Sequence, residues 1–338
     1  MRTPTIKDVA KHAGVGIGTV SRVLNNSPKV SVGTHQTVLA AIAALDFRPN
    51  TSARQLPRRI RLHNIGVITQ PLIHYQAFAE RLRGAQMALH ALSGAYELVL
   101  YSVSSLAHFD AQLAAIAQTR MVDGLIIIDL APVNEQKALL RDTNLPFVGI
   151  NHFQAKDWLC IGVDNIEGGL LATRYLLDLG HTRIAYLGDE LTDSFEFQTS
   201  AQRLAGYQHA MHERGIPVRP EYIRLGYHSY PVALQMAADL LALPEPPTAI
   251  FAMCDLQALA CLEAARSAGL RVPADLSVMG FDDLEVSYHT GLTTIRQHFE
   301  LSGHLAIEAL LMQISGADSA VHALPPPEVV ARHTTQRL

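Results

Sequence analysis

A short segment near the amino terminus carries side chains suited to reading DNA bases. An arginine can pair with guanine through two hydrogen bonds, and an apolar side chain can contact the methyl group of thymine. The outer face of a predicted helix over 17–24 offers both kinds of side chain, in the set Ile17, Gly18, Ser21 and Arg22. Thr19 lies beside them and can reach a phosphate. This chemistry requires the opposite face of the helix to be held in place.

The flanking residues predict two short helices joined by a tight turn, the arrangement that places a helix in the major groove of DNA. Thr5 and Asp8 form a capping pair before the first helix, and Gly14 can end it with positive φ. Val15 can fill the gap between the helices. The predicted inward faces comprise Ile6, Val9, Ala10, Ala13, Val20, Val23 and Leu24. Periodicity alone allows an ordinary helical hairpin within a core equally well.

The charge distribution favours the DNA-binding interpretation. Residues 1–63 contain ten basic and two acidic residues, a net charge of +8, whereas the remainder has 17 basic and 29 acidic residues, a net charge of −12. A basic segment gains affinity for DNA by releasing the counterions of the phosphates. The acidic remainder is repelled by the same phosphates. We therefore expect a DNA-binding amino-terminal domain joined to a body with a different task.

Length and composition indicate a globular protein of two or three domains. The chain has 338 residues, of which 49% are hydrophobic and 17% charged. It has no apolar run long enough to span a membrane, and its first residues do not form a signal peptide. We expect a cytoplasmic protein, associated with the nucleoid when bound to DNA. The three cysteines lack the spacing of a metal site, so no metal is expected.

A third helix and a short hinge follow the first two helices. The helix is predicted over 32–45, with Ser31 as its cap. The hinge is predicted over 50–56, between Asn50 as its cap and Pro57 as its stop. A helix of about two turns is marginal in water, so the hinge should become ordered only when a partner holds it.

From residue 64 onward, short aliphatic runs alternate with amphipathic segments. Buried parallel strands are predicted over 65–69, 98–101, 124–128, 147–150, 183–187, 248–252 and 277–280. Helices are predicted over 78–92, 109–117, 134–141, 167–179, 201–214, 232–243 and 256–268. Two successive series of this kind imply two doubly wound α/β lobes, whose ligands bind beyond the carboxyl ends of the strands. The sequence has neither a phosphate-binding glycine loop nor a nucleophile elbow, so no cofactor and no enzyme activity are expected.

Several segments closely resemble the LacI/GalR (lactose-repressor) family of bacterial transcription regulators. They are TIKDVAKHAGV (5–15), TVSRVLN (19–25), RPNTSARQL (48–56), VDNIEGG (163–169), LGHTRIAYLG (179–188), RLAGY (203–207), VPADLSVMGFDD (272–283) and LTTIRQ (292–297). The resemblance implies an all-α helix-turn-helix headpiece and a body like periplasmic binding proteins. It also implies a homodimer that acts as a repressor on a pseudo-palindromic operator. A small effector between the lobes would release it, or in some relatives recruit it.

The resemblance assigns DNA contacts residue by residue. They are Thr5, Gly16, Ile17, Gly18, Thr19, Ser21, Arg22, Asn25, Asn50, Ala53, Arg54 and Leu56. Leu56 would wedge into the minor groove, and the small Ala53 would let two hinges approach each other. Gly16 stands where the family usually has serine, and Gly18 offers no side chain. These departures leave the exact operator sequence open. The alternative for Ile17 is staple packing, and the alternative for Leu56 is ordinary packing onto the body.

The resemblance also assigns an effector site. Arg203 and Asp282 match family positions that contact the effector. Their places in the chain and their side chains add Gln70, Phe78, Asn151, Tyr227 and Gln297 as candidates, with Trp158 as a further aromatic candidate. Arg203 and Asp282 can grip neighbouring hydroxyls, so a mono- or disaccharide is expected. The alternatives are that this pair only bonds to itself and that the aromatic residues belong to the core. Cys254 replaces a polar family residue, which leaves a purine or another small effector open. Asp255 is expected to cap the following helix.

The predicted domain limits are 1–49 for the headpiece, 50–63 for the hinge and linker, and 64–338 for the effector-binding and dimerisation domain. Lobe 1 should comprise 64–163 and 294–322, and lobe 2 should comprise 164–292 and 323–338. No leucine heptad follows the final strand, which favours a dimer over a tetramer. A sugar-binding transport component and an α/β enzyme are the rival functions. The basic amino-terminal segment argues against the first, and the lack of a nucleophile–base arrangement argues against the second.

Overall fold

The chain consists of two compact units. The structure is a computed structural model that describes residues 5–24, 30–45, 63–71, 75–92, 96–151, 158–191, 195, 198–317 and 323–338. Its contacts divide the chain into Met1–Arg61, which we call the head, and Leu62–Leu338, which we call the body. Every helix within the described ranges is too short or too polar to cross a membrane.

Three helices pack around a small apolar core in the head. They are α1 (Ile6–His12), α2 (Ile17–Leu24) and α3 (Val32–Ala44). The backbone N–H of Thr5 donates to the Asp8 carboxylate at 2.8 Å, as the predicted capping pair requires. Gly14 has φ +65°, and the Ser31 hydroxyl accepts from the Thr34 N–H at 3.3 Å. The buried core consists of Val9, Ala10, Val20, Val23, Val38 and Ala41. The predicted helix pair and its inward faces are therefore confirmed.

The body begins with a five-stranded parallel sheet, which forms lobe 1. Its strands are β1 (His63–Thr69), β2 (Tyr96–Ser102), β3 (Gly124–Ile128), β4 (Phe147–Ile150) and β5 (Cys160–Ile161), in the order β2-β1-β3-β4-β5. The helices of this lobe are α4 (Gln76–His90), α5 (Leu106–Thr119), α6 (Asn134–Asp142) and α12 (Phe299–Ser315). They cover both faces, so the strands are aliphatic on both sides.

A four-stranded parallel sheet forms lobe 2. Its strands are β6 (Ile184–Asp189), β7 (Ile223–Gly226), β8 (Ala249–Ala252) and β9 (Ser277–Met279), in the order β7-β6-β8-β9. Its helices are α7 (Asn165–Asp178), α8 (Thr199–Glu213), a 3₁₀ turn (Pro220–Tyr222), α9 (Tyr230–Leu241), α10 (Asp255–Ser267) and α11 (Glu285–Thr290). In both lobes the strand order reverses beside the first strand, where α/β sheets bind ligands.

The chain passes between the lobes three times. It leaves lobe 1 after β5, returns through β10 (Thr294–Arg296) to α12, and then re-enters lobe 2 through β11 (Glu328–Val330). β10 and β11 form a small antiparallel pair. After β11 the tail joins lobe 2, because the Val278 N–H donates to the Thr334 carbonyl at 2.8 Å and the Leu338 N–H donates to the Leu179 carbonyl at 2.9 Å.

Each lobe contains a close helix crossing made by glycines. In lobe 1, a Cβ on Gly303 of α12 would overlap the backbone carbonyl of Arg81 on α4. In lobe 2, a Cβ on Gly169 of α7 would overlap the carbonyl of Arg203 on α8. Glycine is needed at such points because any side chain would push the backbones apart. Both crossings thus set the position of an arginine.

Several elements differ from the prediction. Helix α12 was not predicted, nor were α11 and the strands β5, β7 and β10, whereas β11 lies within the final strand predicted in 325–332. The predicted helix ends differ from the observed ends by at most three residues, as is usual for boundaries read from sequence. The two doubly wound parallel sheets are confirmed.

Candidate functional site

A cavity of about 610 Å³ lies between the two lobes of the body. Its size suits a small organic ligand. All seven residues predicted for the effector site line it, namely Gln70, Phe78, Asn151, Arg203, Tyr227, Asp282 and Gln297. Their role as ligand contacts stays a prediction. Trp158 is not part of the cavity wall, because its ring stacks on Phe147 at 5.7 Å between centroids.

Arg203 forms the centre of the lobe 2 wall. Its side chain is 3% exposed and lies over the Phe281 ring, with 3.6 Å from the guanidinium carbon to the ring centroid. Its Nε donates to the Asn165 side-chain oxygen at 2.9 Å, and an Nη donates to the Met253 carbonyl at 2.5 Å. Both acceptors are neutral. The charge of the guanidinium is therefore not matched by its hydrogen-bond partners.

Asp282 is the nearest carboxylate to that charge. One carboxylate oxygen lies 3.7 Å from an Arg203 Nη, too far for a hydrogen bond, and the same oxygen accepts from the Gln297 side chain at 2.5 Å. Burial raises the pKa of Asp282 to about 7, although the charge of Arg203 acts in the opposite direction. The backbone of Asp282 has φ +138°, a conformation that costs energy in a residue with a side chain. The cavity wall thus contains an arginine and a carboxyl group that lie close together but are not hydrogen-bonded to each other.

In the lobe 1 wall the arginine is hydrogen-bonded directly to a carboxylate. Arg81 donates to one oxygen of the Asp129 carboxylate at 3.1 Å, and Asn151 donates to the other oxygen at 2.6 Å. Gln70 donates to the Asp129 carbonyl at 2.9 Å, which joins the ends of β1 and β3 where the strand order reverses. Arg81 also lies over the Phe299 ring at 4.8 Å. Asp129 and Asn151 both have positive φ, which aspartate and asparagine tolerate better than other residues with side chains.

A histidine and a carboxylate form a third cluster, at the end of β6. His228 Nδ1 lies 2.7 Å from one Asp189 oxygen, and Gln257 donates to the other oxygen at 2.6 Å. Burial works against protonation of His228, but the hydrogen bond and the charge of Asp189 outweigh it and raise the pKa of the ring. Tyr75 of lobe 1 contacts the same ring edge-to-face, at 5.0 Å between centroids.

The two predicted aromatic contacts differ in burial. Phe78 is 2% exposed and belongs to the lobe 1 core while also reaching the cavity. The core interpretation therefore applies to most of its ring. Tyr227 is 71% exposed and lies at the rim. Cys254 lies in the wall as a buried thiol, and burial raises its pKa well above the usual value.

Asp255 does not have the predicted capping role. The cap of α10 is Cys254, and the Asp255 carboxylate points away from that helix end. It accepts from the Ser287 hydroxyl at 2.5 Å, the Thr294 hydroxyl at 2.6 Å and the Leu284 N–H at 2.9 Å. Burial raises the pKa of Asp255, and these bonds act against the rise. Asp255 is therefore a buried residue whose hydrogen bonds link α11 to β10.

The head presents the predicted outer face of α2 to solvent. Ile17 is 45% exposed and stands outside the core, which argues against staple packing of this residue. Gly16, Gly18 and Arg22 are exposed, and Thr5, Thr19 and Ser21 are half-buried. The remaining predicted DNA contacts, Asn25, Asn50, Ala53, Arg54 and Leu56, lie outside the described residues. The assignment of all these residues to DNA stays a prediction.

Five charged or titratable residues of the cavity were not predicted from the sequence, namely Arg81, Asp129, Asp189, Glu190 and His228. Two signals could have found most of them. Asp129 follows an aliphatic strand directly and Asp189 ends one, at the sheet edge where ligands bind. The segment RLRG at 81–84 repeats the arginine–glycine spacing of RLAG at 203–206. His228 carries no comparable signal.

Comparison with known proteins supports a regulator of two parts. Residues 5–50 match the model described as bacterial regulatory proteins, lacI family, and residues 173–335 match the periplasmic binding protein-like domain. The chain is similar to a probable HTH-type transcriptional repressor ExuR of Bacillus subtilis (strain 168), with 31% identity over 99% of both chains.

Solved structures agree with the sequence relatives. A lac repressor dimer bound to operator and the anti-inducer ONPF is 30% identical, covers 99% of this chain and 100% of its own, and has a TM-score of 0.70. A complex of the transcriptional regulator CelR with cellobiose is 28% identical over 98% and 99% of the two chains, with a TM-score of 0.68. These relatives are transcriptional regulators rather than enzymes. The chain belongs to the LacI family of bacterial regulatory proteins, which it matches from its DNA-binding head to the end of its body.

Proposed function

We propose that this protein is a dimeric transcription repressor that a sugar, bound between the two lobes, releases from its operator. The observation that carries the proposal is the Arg203–Asp282 pair in the wall of the 610 Å³ cavity. Its atoms stand 3.7 Å apart, in ion-pair range but without a hydrogen bond. A hydroxyl group placed between them can accept from the guanidinium and donate to the carboxylate.

The charges of the cavity favour an uncharged ligand rich in hydroxyls. Each described cation in its wall has an aspartate beside it, as in the pairs Arg81–Asp129, Arg203–Asp282 and His228–Asp189. The exposed Glu190 is a further carboxylate of the lining. An anionic or cationic effector would leave one member of such a pair uncompensated. A sugar offers donors and acceptors without net charge. The related CelR was solved with cellobiose, which supports this class of ligand.

The head supports the DNA-binding half of the proposal. Val20 and Val23 are buried against α1 and α3, which leaves Ile17 and Arg22 of α2 open to solvent. An exposed arginine and an exposed apolar side chain on one short helix match the side chains that read guanine and thymine. A protein of this kind works in the cytoplasm, on chromosomal DNA.

The edge of lobe 1 supports the dimer. Strand β2 is the last strand of its sheet, and Leu100 on this strand is 39% exposed. On α4, which packs on the same sheet, Met87 is 53% exposed. Apolar side chains beside an unpaired strand edge are typical of surfaces that another chain covers. The lac repressor relative was solved as a dimer on operator.

A sugar screen tests the effector. Cellobiose, lactose, maltose, sucrose and ribose are added to the full chain, and thermal shift and the fluorescence of the single Trp158 are measured. We expect at least one sugar to raise the melting temperature, because a ligand of the folded state stabilises it by mass action. The variant Arg203→Met should lose the response. Arg214→Met is the matched control, since Arg214 adjoins the end of α8 and bonds to the exposed Asp178. An equal response in Arg203→Met would refute the site.

Binding to the protein's own promoter DNA tests whether the chain recognises an operator and whether the effector releases it. The wild-type chain should hold a pseudo-palindromic fragment, and the effector should weaken that complex. Strengthening by the sugar would mean recruitment instead of release. Arg22→Ala should cost about 1–3 kcal/mol at the operator and leave salt-dependent non-specific binding intact. Lys7→Ala, which removes an exposed charge of α1, should weaken both kinds of binding alike.

Light scattering tests the dimer. The wild-type chain should have twice the monomer mass, and Leu100→Glu should halve it. Met121→Glu is the control, because Met121 is more exposed, at 62%, and lies outside β2 and α4. A monomeric wild-type chain would contradict the dimer.

A further inference from the structure

His228 has an orientation that only one kind of ligand group satisfies in both of its protonation states. Its Nδ1 lies 2.7 Å from the Asp189 carboxylate, and an ionised carboxylate can only accept a hydrogen bond. The proton of the neutral ring therefore sits on Nδ1. No described residue bonds to Nε2, and the ring lines the cavity.

The group that orients His228 is itself held from several sides. Gln257, which is fully buried, donates to the second Asp189 oxygen at 2.6 Å. The Ser200 hydroxyl donates to the Asp189 carbonyl at 2.7 Å. From lobe 1, Tyr75 contacts the imidazole edge-to-face at 5.0 Å. Hydrogen bonds within lobe 2 thus orient the imidazole ring, and Tyr75 of lobe 1 packs against it.

We propose that His228 forms a hydroxyl-binding subsite of the effector cavity, oriented by Asp189 and Gln257 and closed across the cleft by Tyr75. With the proton on Nδ1, the Nε2 of the neutral ring accepts a hydrogen bond, and the Nε2 of the charged ring donates one. A hydroxyl can do both. A carboxylate satisfies only the charged ring, and an ammonium group satisfies only the neutral ring. This inference rests on the proposed function, which places the effector in this cavity.

Two variants of His228 separate the hydrogen bond from the packing. His228→Phe keeps a ring for Tyr75 to contact but removes the polar atom. His228→Gln keeps a polar group near the position of Nε2. With the tightest sugar of the five named above, we expect the affinity to fall at least tenfold in the Phe variant and less than threefold in the Gln variant. Wild-type affinity in His228→Phe would overturn the proposal.

Monodeoxy analogues of that sugar identify the hydroxyl. In the wild type, one analogue should bind at least tenfold more weakly than the parent sugar. In His228→Phe, the same analogue and the parent sugar should bind alike, because the partner of that hydroxyl is gone. If every analogue keeps its wild-type penalty in His228→Phe, the subsite is refuted.

Nitrogen-15 NMR of the ligand-free full chain tests the orientation without any effector. The His228 signals are assigned from their loss in His228→Gln. We expect the neutral ring to carry its proton on Nδ1 in the wild type, and the tautomer ratio to change in Asp189→Asn. A proton on Nε2 of the neutral ring would overturn the proposal. If no sugar binds and the proton sits on Nδ1, the sugar effector is refuted and the orientation of His228 stands.

Discussion

Both lobes contain the same type of helix crossing beside an arginine, but the positive charge of that arginine has different partners in the two lobes. Arg81 and Arg203 each stand three residues before a glycine in an R-L-x-G segment, and each has its carbonyl against a glycine of the crossing helix. Arg81 bonds to a carboxylate of its own lobe at 3.1 Å. Arg203 bonds to a carbonyl and an amide, and its nearest carboxylate, Asp282, stays at 3.7 Å.

This difference shows how one scaffold can serve two purposes. A buried arginine that donates to a carboxylate has its charge compensated and has less left to offer a ligand. An arginine bonded to neutral groups keeps an unmatched charge, which a ligand hydroxyl and a nearby carboxylate can share. We infer that the lobe 1 arginine mainly shapes the cavity and the lobe 2 arginine mainly binds the effector. The following changes test that division.

Removing each arginine should have opposite consequences for stability and binding. Arg81→Met leaves the Asp129 carboxylate buried and unpaired, so we expect the free energy of unfolding to fall by about 3–5 kcal/mol. Arg203→Met should cost less, about 2 kcal/mol, because Asp282 can take up a proton. Its effector affinity should fall at least a hundredfold. Urea unfolding measures the stabilities, and calorimetry measures the effector affinities. A larger loss of stability in Arg203→Met than in Arg81→Met would contradict the proposed division of roles.

Filling the two glycine crossings should disturb both lobes. Gly303→Ala and Gly169→Ala each place a methyl group against the carbonyl of the arginine on the facing helix. We expect each variant to lose about 3 kcal/mol of stability in urea unfolding. The control is Gly33→Ala, where a methyl group meets nothing within 4 Å. Only Gly169→Ala should also weaken effector binding. An equal loss of effector affinity in both variants would contradict the division of roles.

The stability of lobe 2 should depend on the protonation of Asp282. Burial raises its pKa to about 7 in the folded chain, above the ordinary value of 3.8. Its contribution to stability is therefore complete below about pH 4 and is lost as the pH rises through 7. Between pH 5 and pH 8 this loss should amount to about 2–3 kcal/mol in the wild type. Asp282→Asn should abolish that part of the pH dependence.

Asp178→Asn serves as the control for the pH experiment, because Asp178 is an exposed carboxylate with 61% of its side chain accessible. The measurement is urea unfolding of all three proteins at pH 5 and pH 8. An unchanged slope in Asp282→Asn would show that Asp282 is already ionised at pH 5. The lobe 2 pair would then resemble the lobe 1 pair.

The smallest effect is expected at the lobe 1 wall. Asn151→Ala removes the 2.6 Å bond to Asp129 and leaves a residue with a Cβ at φ +73°, so it should cost about 2 kcal/mol. Asn151→Gly removes the same bond but relieves the backbone, and should cost about 1 kcal/mol. Thermal and urea unfolding distinguish the two. Equal losses would mean that the backbone of Asn151 stores no strain.

The cavity was predicted well where a motif marks a residue and poorly where only the fold brings residues together. Arg203 and Asp282 lie in segments that resemble the family, and the structure places both in the wall. Arg81 and Asp129 are 48 positions apart, and only the packing of α4 on the sheet makes them neighbours. The same holds for Asp189 and His228, on adjacent strand ends.

The missed elements also have physical reasons. Helix α12 packs against α4 and against the sheet, and its apolar residues therefore occupy more than one face. A helix of this kind has no clear amphipathic period. Strand β7 lies at the edge of its sheet and includes the half-buried Arg224, so it lacks the aliphatic run of a central strand. Helix α2, with one open and one buried face, was predicted correctly.

The three passages between the lobes mean that neither lobe is one continuous stretch of chain. Cutting once between β5 and α7 cannot yield two independent domains, since lobe 1 would lose α12. Shortening the chain at its carboxyl end removes the backbone bonds from Thr334 and Leu338 to lobe 2. A fusion partner or truncation at that end therefore acts on the framework of lobe 2 and not on a free tail.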